Sequence, residues 1–350
     1  MMILNNIITV IGNYLAIVYE NIIIFFRNFL QMQDPLVWGY LISLYIIFTI
    51  LEYFFPIRAT RGPYESFKDE IGFFVGNKLT NFITAAIIAP LIEIASLHPL
   101  IPHLNEQPMI LQFVIVIVLS EFIYYWYHRM LHRVGWLWEI HRIHHSIEDI
   151  NAINGNFRYH VFEVIFNYSI TYAPILLFGF SKEVMYTYLF LQIFINTLAH
   201  CNVNFNYGRL NNWLVTTQVH QFHHDADPPV STGVNYGNMF TICDKIFNSF
   251  FIPSNQYYPQ RLGLRKGSKE GNYPYPVKGY FKQQLYPLRK FLPKTFYKQA
   301  DNLMPYTKPK NIPVNLREKF INGETIAPTI SGELYPNVKY GESTSLSAKK

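Results

Sequence analysis

Residues 109–145 read MILQFVIVIVLSEFIYYWYHRMLHRVGWLWEIHRIHH. From Met109 to Tyr127 the stretch is apolar save Gln112, Ser120 and Glu121, and a helix needs about 20 such residues to cross a hydrocarbon core. Histidines then recur at helical spacing. His128-Arg-Met-Leu-His132 is an i, i+4 pair, and His141-Arg-Ile-His144-His145 repeats at i, i+3 and i+4. An apolar helix that runs directly into clustered imidazoles predicts an all-α, multi-pass transmembrane bundle carrying a histidine-rich cap at one end.

Upstream, Leu36 to Ile57 reads as a span that ends in Arg58 and Arg61, and Ile71 to Ser96 as a span kinked at Pro90. The loop His98–Pro108 has neither Lys nor Arg. Arg58, Arg61 and Lys68 follow the first span, and Arg129, Arg133 and Arg142 follow the third. The positive-inside rule therefore makes the cap cytoplasmic and the His98 loop external. Downstream, Val161–Phe180 and Val184–Ala199 are apolar and separated only by Ser181, Lys182 and Glu183. Such a hairpin returns to its starting side and brings His200 to the face that carries His128. The N-terminal stretch 3–26 is either a further span or an interfacial helix, and it shows no cleavable leader. Four to six spans are expected.

Composition agrees with a membrane protein. Half the chain is hydrophobic, 17% is aromatic and 15% is charged, against about a quarter charged in soluble domains. The net charge of +6 is concentrated after Pro253, where Lys and Arg alternate with Tyr and Pro. Anionic lipid is a better partner for that region than nucleic acid. Two cysteines, Cys201 and Cys243, exclude a disulfide framework. Three parts are expected: membrane segments over 1–109, a catalytic unit over 110–255, and a basic Tyr/Pro-rich segment over 256–350, poorly ordered from Leu292.

Ten of the twelve histidines lie between 128 and 224: His128, His132, His141, His144, His145, His160, His200, His220, His223 and His224. Rings at i, i+3 and i+4 share a helix face, so each cluster is expected to converge on one point. Leaving so many polar rings unpaired beside an apolar bundle would be costly; a metal removes that cost. One ion takes four to six ligands, so this number implies two. Imidazole alone does not choose among Zn, Cu, Fe and Ni. A zinc hydrolase of the H-E-x-x-H kind needs a Glu base, but Arg129 follows His128, which favours a redox metal open to dioxygen. His98 and His103 read as interfacial polar residues, and Trp126, Trp136 and Trp138 as interface anchors. Asp225, Asp227 and Glu148 lie beside the clusters, where they could accept a ligand's free N–H. Glu121, within an apolar helix, is expected to be paired or to face water.

With these motifs the chain resembles the fatty acid hydroxylase/sterol desaturase superfamily. H-x-x-x-H, H-x-x-H-H and H-x-x-H-H follow Glu121-Phe-Ile-Tyr-Tyr-Trp-Tyr, together with WEIHRIHHS from Trp138 to Ser146 and Asn235-Tyr236-Gly237 followed by Asp244. The resemblance covers about 110–255. It implies a non-haem di-iron centre, with zinc the other ion to look for in purified protein, and oxidation of a lipid C–H bond by dioxygen. It carries ligand roles onto His128, His132, His141, His144, His145, His220, His223 and His224, with His200 as an extra ligand. His160 matches a histidine that is either a ligand or a partner behind one. Asn204 stands where some members have a further histidine.

Hydroxylation and desaturation of a fatty acyl or sterol-like lipid are both consistent with these motifs. Neither a haem loop nor a G-x-G-x-x-G fingerprint is present, so electrons are expected from a separate reductase, cytochrome b5, ferredoxin or pterin. An ether-lipid (alkylglycerol-type) monooxygenase or an aldehyde oxygenase would use the same site. A non-redox metal-binding membrane protein or transporter is the competing class, but transporters bind near the bilayer midplane. The expected location is a bacterial inner membrane or the endoplasmic reticulum.

Overall fold

The computed structural model describes residues 9, 12, 13, 16, 19, 20, 35–58, 70–81, 83, 84, 87, 99–226, 233–252, 258, 259, 262–264 and 279–291. The reading of the N-terminal stretch as span or interfacial helix, the kink at Pro90, His98, Asp227 and the tail from Leu292 lie outside them. Helices dominate: α1 Pro35–Phe54, α2 over 70–81, α3 Met109–Arg133, α4 Gly135–His145, α5 Val161–Asn167, α6 Lys182–His200, α7 Thr217–His223, α8 Ile242–Ile246 and α9 Tyr280–Leu285. Among the described residues there is no sheet; the β contacts are isolated bridges, Pro56 with Val203, Leu214 with Phe240 and Asp225 with Leu262.

α3 is the axis. It packs against α4 and α6, and its Val116 joins Ile175, Val184, Tyr188, Ile195 and Met239 in a buried apolar cluster. Ile110, Val114, Val118, Phe122, Trp126 and Met130, at four-residue spacing, are exposed. Ile71, Val75 and Leu79 make a similar outward stripe on α2, and Ile42, Ile46 and Ile50 on α1. Contiguous apolar faces of this size mark an interaction with lipid or protein rather than with water. Among the described residues one helix, Met109–Arg133, is long and apolar enough to cross a membrane; Gly39–Phe54 and Val161–Leu176 are shorter apolar helices. The apolar stretch expected over Val161–Phe180 is helical to Leu176 but irregular within. A π turn spans Tyr168–Tyr172 and a short helix Ala173–Leu176 follows, because Pro174 has no N–H to continue the ladder.

The ends of these helices are tied by side chains. At the far end Leu100 N–H donates to the Leu177 carbonyl at 2.9 Å, and Ser181 N–H to Gln112 Oε1 at 2.9 Å. At the cap end α3 stops at Arg133, Val134 is extended, and α4 restarts at Gly135. That one-residue turn folds the second histidine cluster back over the first. Glu52 of α1 accepts the N–H groups of Ala152 and Asn202, both at 2.8 Å, joining the loops that follow α4 and α6. Glu121 of α3 accepts Met239 N–H and Phe240 N–H, each at 3.0 Å, so the pairing expected for this residue is with backbone.

Replacing Glu121 by Ala leaves both of these donors unmet, at about 1–3 kcal/mol for each buried group. The unfolding midpoint of the detergent-solubilised protein should fall by at least about 5 °C, and by less in Glu121→Gln, which keeps one acceptor.

Candidate metal centre

Nine of the ten candidate histidines come together in two groups. His128, His132, His141, His145 and His223 place one nitrogen each within 4.8 Å of one another, and His144, His200, His220 and His224 do the same. All nine are buried. The groups adjoin, with the rings of His145 and His224 stacked at 4.4 Å.

This partition corrects the expectation that each cluster converges on one point. In every cluster the i, i+4 pair stays in one group: His128 with His132, His141 with His145, His220 with His224. The i+3 ring crosses over, His144 to the group of four and His223 to the group of five. Successive helical residues are about 100° apart around the axis, so adjacent rings such as His144 and His145 must aim at different points.

Hydrogen bonds decide which nitrogen faces inward. His223 Nδ1 lies 2.7 Å from the Val234 carbonyl, His128 Nδ1 3.0 Å from the Tyr236 carbonyl and His200 Nδ1 2.8 Å from the Asn196 carbonyl. A carbonyl only accepts, so each Nδ1 carries the proton and each Nε2 a lone pair. The inward nitrogens are then crowded. His145 Nε2 and His223 Nε2 are 3.0 Å apart, and His200 Nε2 lies 2.9 Å from His220 Nε2 and 3.2 Å from His144 Nε2. The His200 lone pair cannot accept from both neighbours. His141 Nε2 is buried with no hydrogen bond. Nitrogens that share one ion at about 2.1 Å stand about 3 Å or slightly more apart, so the residues present fit a cation in each group.

Burial pushes the pKa values of His144, His145, His220 and His224 well below the usual imidazole value, assisted by neighbouring rings. Burial brings His223 down to about 3, with the Val234 carbonyl opposing it. These five rings are therefore neutral at pH 7, the form that binds metal.

The residues behind these rings were only partly legible. Glu163 Oε1 accepts the His141 Nδ1–H at 2.7 Å, both side chains being buried; this is a role considered for other carboxyls beside the clusters. Its signal was a lone acidic residue inside an apolar stretch. Asp225 instead pairs with Leu262 in an isolated bridge and supports the charge of Arg58. Tyr159 stacks on His144 at 4.4 Å and 14°. Trp138, read as an interface anchor, lies against His132 and His145 at ring distances of 5.1 and 5.3 Å, whereas Trp126 and Trp136 are exposed. The Asn235-Tyr236-Gly237 motif and Asp244 act as a latch. Asp244 Oδ1 and Oδ2 accept Tyr236 N–H and Gly237 N–H at 2.8 Å each. Asn235, at φ 56°, donates to the Val219 and Phe251 carbonyls. The latch presents the carbonyls that His128 and His223 need.

His160 lies outside both groups. Its Nδ1 accepts Phe162 N–H at 3.1 Å as the cap of α5, and its Nε2 donates to the Gln284 carbonyl at 2.7 Å. The Gln284 side chain returns bonds to Val161 N–H at 2.8 Å and the Tyr159 carbonyl at 3.0 Å. The described part of the C-terminal segment thus clamps the loop that holds Tyr159 against His144.

Comparison with known proteins supports this region specifically. Residues 113–249 match the family model described as fatty acid hydroxylase. The chain is similar to ornithine lipid hydroxylase OlsE of Rhizobium tropici, 31% identical over 43% of this chain and 44% of that protein. It is 34% identical to human alkylglycerol monooxygenase over 37% of this chain and 28% of that protein. It is 26% identical to the Delta(7)-sterol 5(6)-desaturase erg3A of Aspergillus fumigatus over 67% of this chain and 66% of that protein. The chain thus spans less than half the length of the first two. No solved structure matches.

Two changes test the arrangement through metal content. A Cβ on Gly155 would stand 2.4 Å from His200 Cβ and 2.6 Å from its Cγ, so Gly155→Ala should displace His200. Bound metal per chain should then fall towards half, read by elemental analysis, with the group of five retained. Glu163→Gln removes the carboxyl that fixes the His141 tautomer and should weaken metal binding about 10–100-fold in a chelator competition.

Proposed function

We propose that the chain is a membrane-bound di-iron oxygenase acting on a lipid, a reading supported by the match of residues 113–249 to the fatty acid hydroxylase family model. The observation that carries the reading is the set of nine buried imidazoles in two groups, with their nitrogens crowded inward. His128, His132, His141, His145 and His223 would hold one ion, and His144, His200, His220 and His224 the other. His160 has both nitrogens engaged and serves as a cap. Iron bound there would supply dioxygen reduction and oxidation of a C–H bond, with two external electrons and two protons completing the balance.

The chain's own residues set the conditions. The Val234, Tyr236 and Asn196 carbonyls and the Glu163 carboxyl orient four of the rings. Burial of all nine keeps bulk water from the rings. The outward apolar stripes on α1, α2 and α3 support a bilayer around the bundle. The basic residues after the spans support a cytoplasmic cap, in a bacterial inner membrane or the endoplasmic reticulum. Residues 110–255 form the catalytic unit of this reading, with the 279–291 stretch as its clamp. A separate reductase, cytochrome b5, ferredoxin or pterin supplies electrons.

The lipid is fatty acyl or sterol-like, oxidised by hydroxylation or desaturation. The 34% identity to alkylglycerol monooxygenase favours an ether lipid as the second reading. Clusters at helix ends rather than at mid-bilayer disfavour transport.

The test combines metal analysis with lipid profiles of cells with and without the gene, in air and without it. Purified protein should hold iron, and a lipid product should appear only in air. His144→Ala and His223→Ala, one from each group, should each abolish that product. A protein that never holds iron, or either variant retaining full activity, would overturn the assignment.

A further inference from the structure

Beside the cap lies an apolar surface that the oxygenase reading does not use. Leu210 and Trp213, in and just after the 3-10 turn Gly208–Asn212, are 54% and 67% exposed; Ile242 and Ile246 of α8 are 53% and 63% exposed. α8 buries Cys243 and Asp244 and turns its two isoleucines outward. The two loops form one body: Leu214 bridges Phe240, Thr241 N–H donates to the Trp213 carbonyl at 3.0 Å, and Val215 N–H to the Met239 carbonyl at 2.9 Å. The Lys245 ammonium lies 5.1 Å from the Trp213 ring centre and 5.0 Å from that of Phe250, and donates to the Asn212 carbonyl.

The position of this patch along α3 identifies its surroundings. Glu121 receives the N–H groups of Met239 and Phe240, and it precedes Tyr127 by six residues, about 9 Å along the helix. The loop is therefore level with the apolar part of α3, above its histidine end. Irregular backbone at that depth must find its hydrogen bonds within the protein, which is what the Glu121 carboxyl provides. The patch also continues the outward stripe of α3. Phe247 packs on Trp126 at 4.8 Å and lies 6.5 Å from Phe122, two members of that stripe. An exposed Trp beside a Lys that runs over aromatic rings is the composition of a membrane interface.

We propose that residues 208–213 and 242–246 form a foot that dips into the leaflet on the cap side of the bilayer. Its apolar side chains would meet acyl chains, and Lys245 would reach the phosphate headgroups. The foot would hold the two histidine groups at a constant depth below the lipid. It rests on the membrane reading above, and continuity with the α3 stripe favours lipid over a protein partner as the occupant.

The test uses the wild-type full chain in vesicles of phosphatidylcholine and phosphatidylglycerol. A phospholipid with a diazirine midway along one acyl chain is added, and cross-links are mapped by mass spectrometry after illumination. Peptides covering 205–215 and 239–250 should take up label within about threefold of the 109–127 region, as interfacial insertion to acyl depth requires. Label on 109–127 with none above the dark control on the foot would overturn the proposal while leaving the membrane reading intact; the patch would then face water or a protein partner. Label on neither region would overturn both.

Discussion

Nine buried imidazoles facing one another form an unfavourable arrangement without a cation, and the rest of the structure serves to impose it. The His200 Nε2 lone pair faces neighbouring nitrogens at 2.9 and 3.2 Å and can accept from only one of them, and the buried His141 Nε2 has no hydrogen-bond partner. The surrounding protein must therefore hold each ring from behind. The three carbonyls at Val234, Tyr236 and Asn196 do this through Nδ1–H, and Glu163 does it for His141.

Those supports are themselves held by a few polar side chains placed where the chain changes direction. Glu52, Glu121 and Asp244 each accept two backbone N–H groups in a region with little water to do so. Asp244 fastens the turn that supplies the Tyr236 carbonyl, so a residue in a short helix after the last cluster determines the orientation of His128 on α3. Gln284, much further along the chain, fastens the loop of Tyr159 and caps it against His160. The centre thus depends on contacts across nearly every described helix. Similarity over part of the length of the relatives agrees with this: the match over 113–249 contains every histidine of both groups and the Asp244 latch, while the clamp from Gln284 lies beyond it.

The same backbone constraint links the centre to the outer surface. Glu121 satisfies the 239–240 backbone from within α3, and that backbone carries Tyr236 and Asp244 on one side and the exposed foot at Ile242 and Ile246 on the other. The exposed apolar surface and the ring geometry are in this way properties of a single loop.

How much of this was legible in the sequence follows from the range of each interaction. Helical periodicity and apolar runs are local, so the starts of α1, α3 and α6, the histidine spacings and the return of His200 toward His128 could all be read along the chain. Glu121 could be recognised as needing a partner, though not which one. The allotment of rings to two groups, the position of His160 as a cap, the role of Glu163 and Trp138 beside the rings, and the irregularity within the Val161–Phe180 stretch could not. The sequence by itself determined that many imidazoles would gather at one end of an apolar helical bundle. Only the tertiary structure decided which nitrogen faces which neighbour, because that depends on carbonyls and carboxyls contributed from distant segments, and distance along the chain carries no record of them.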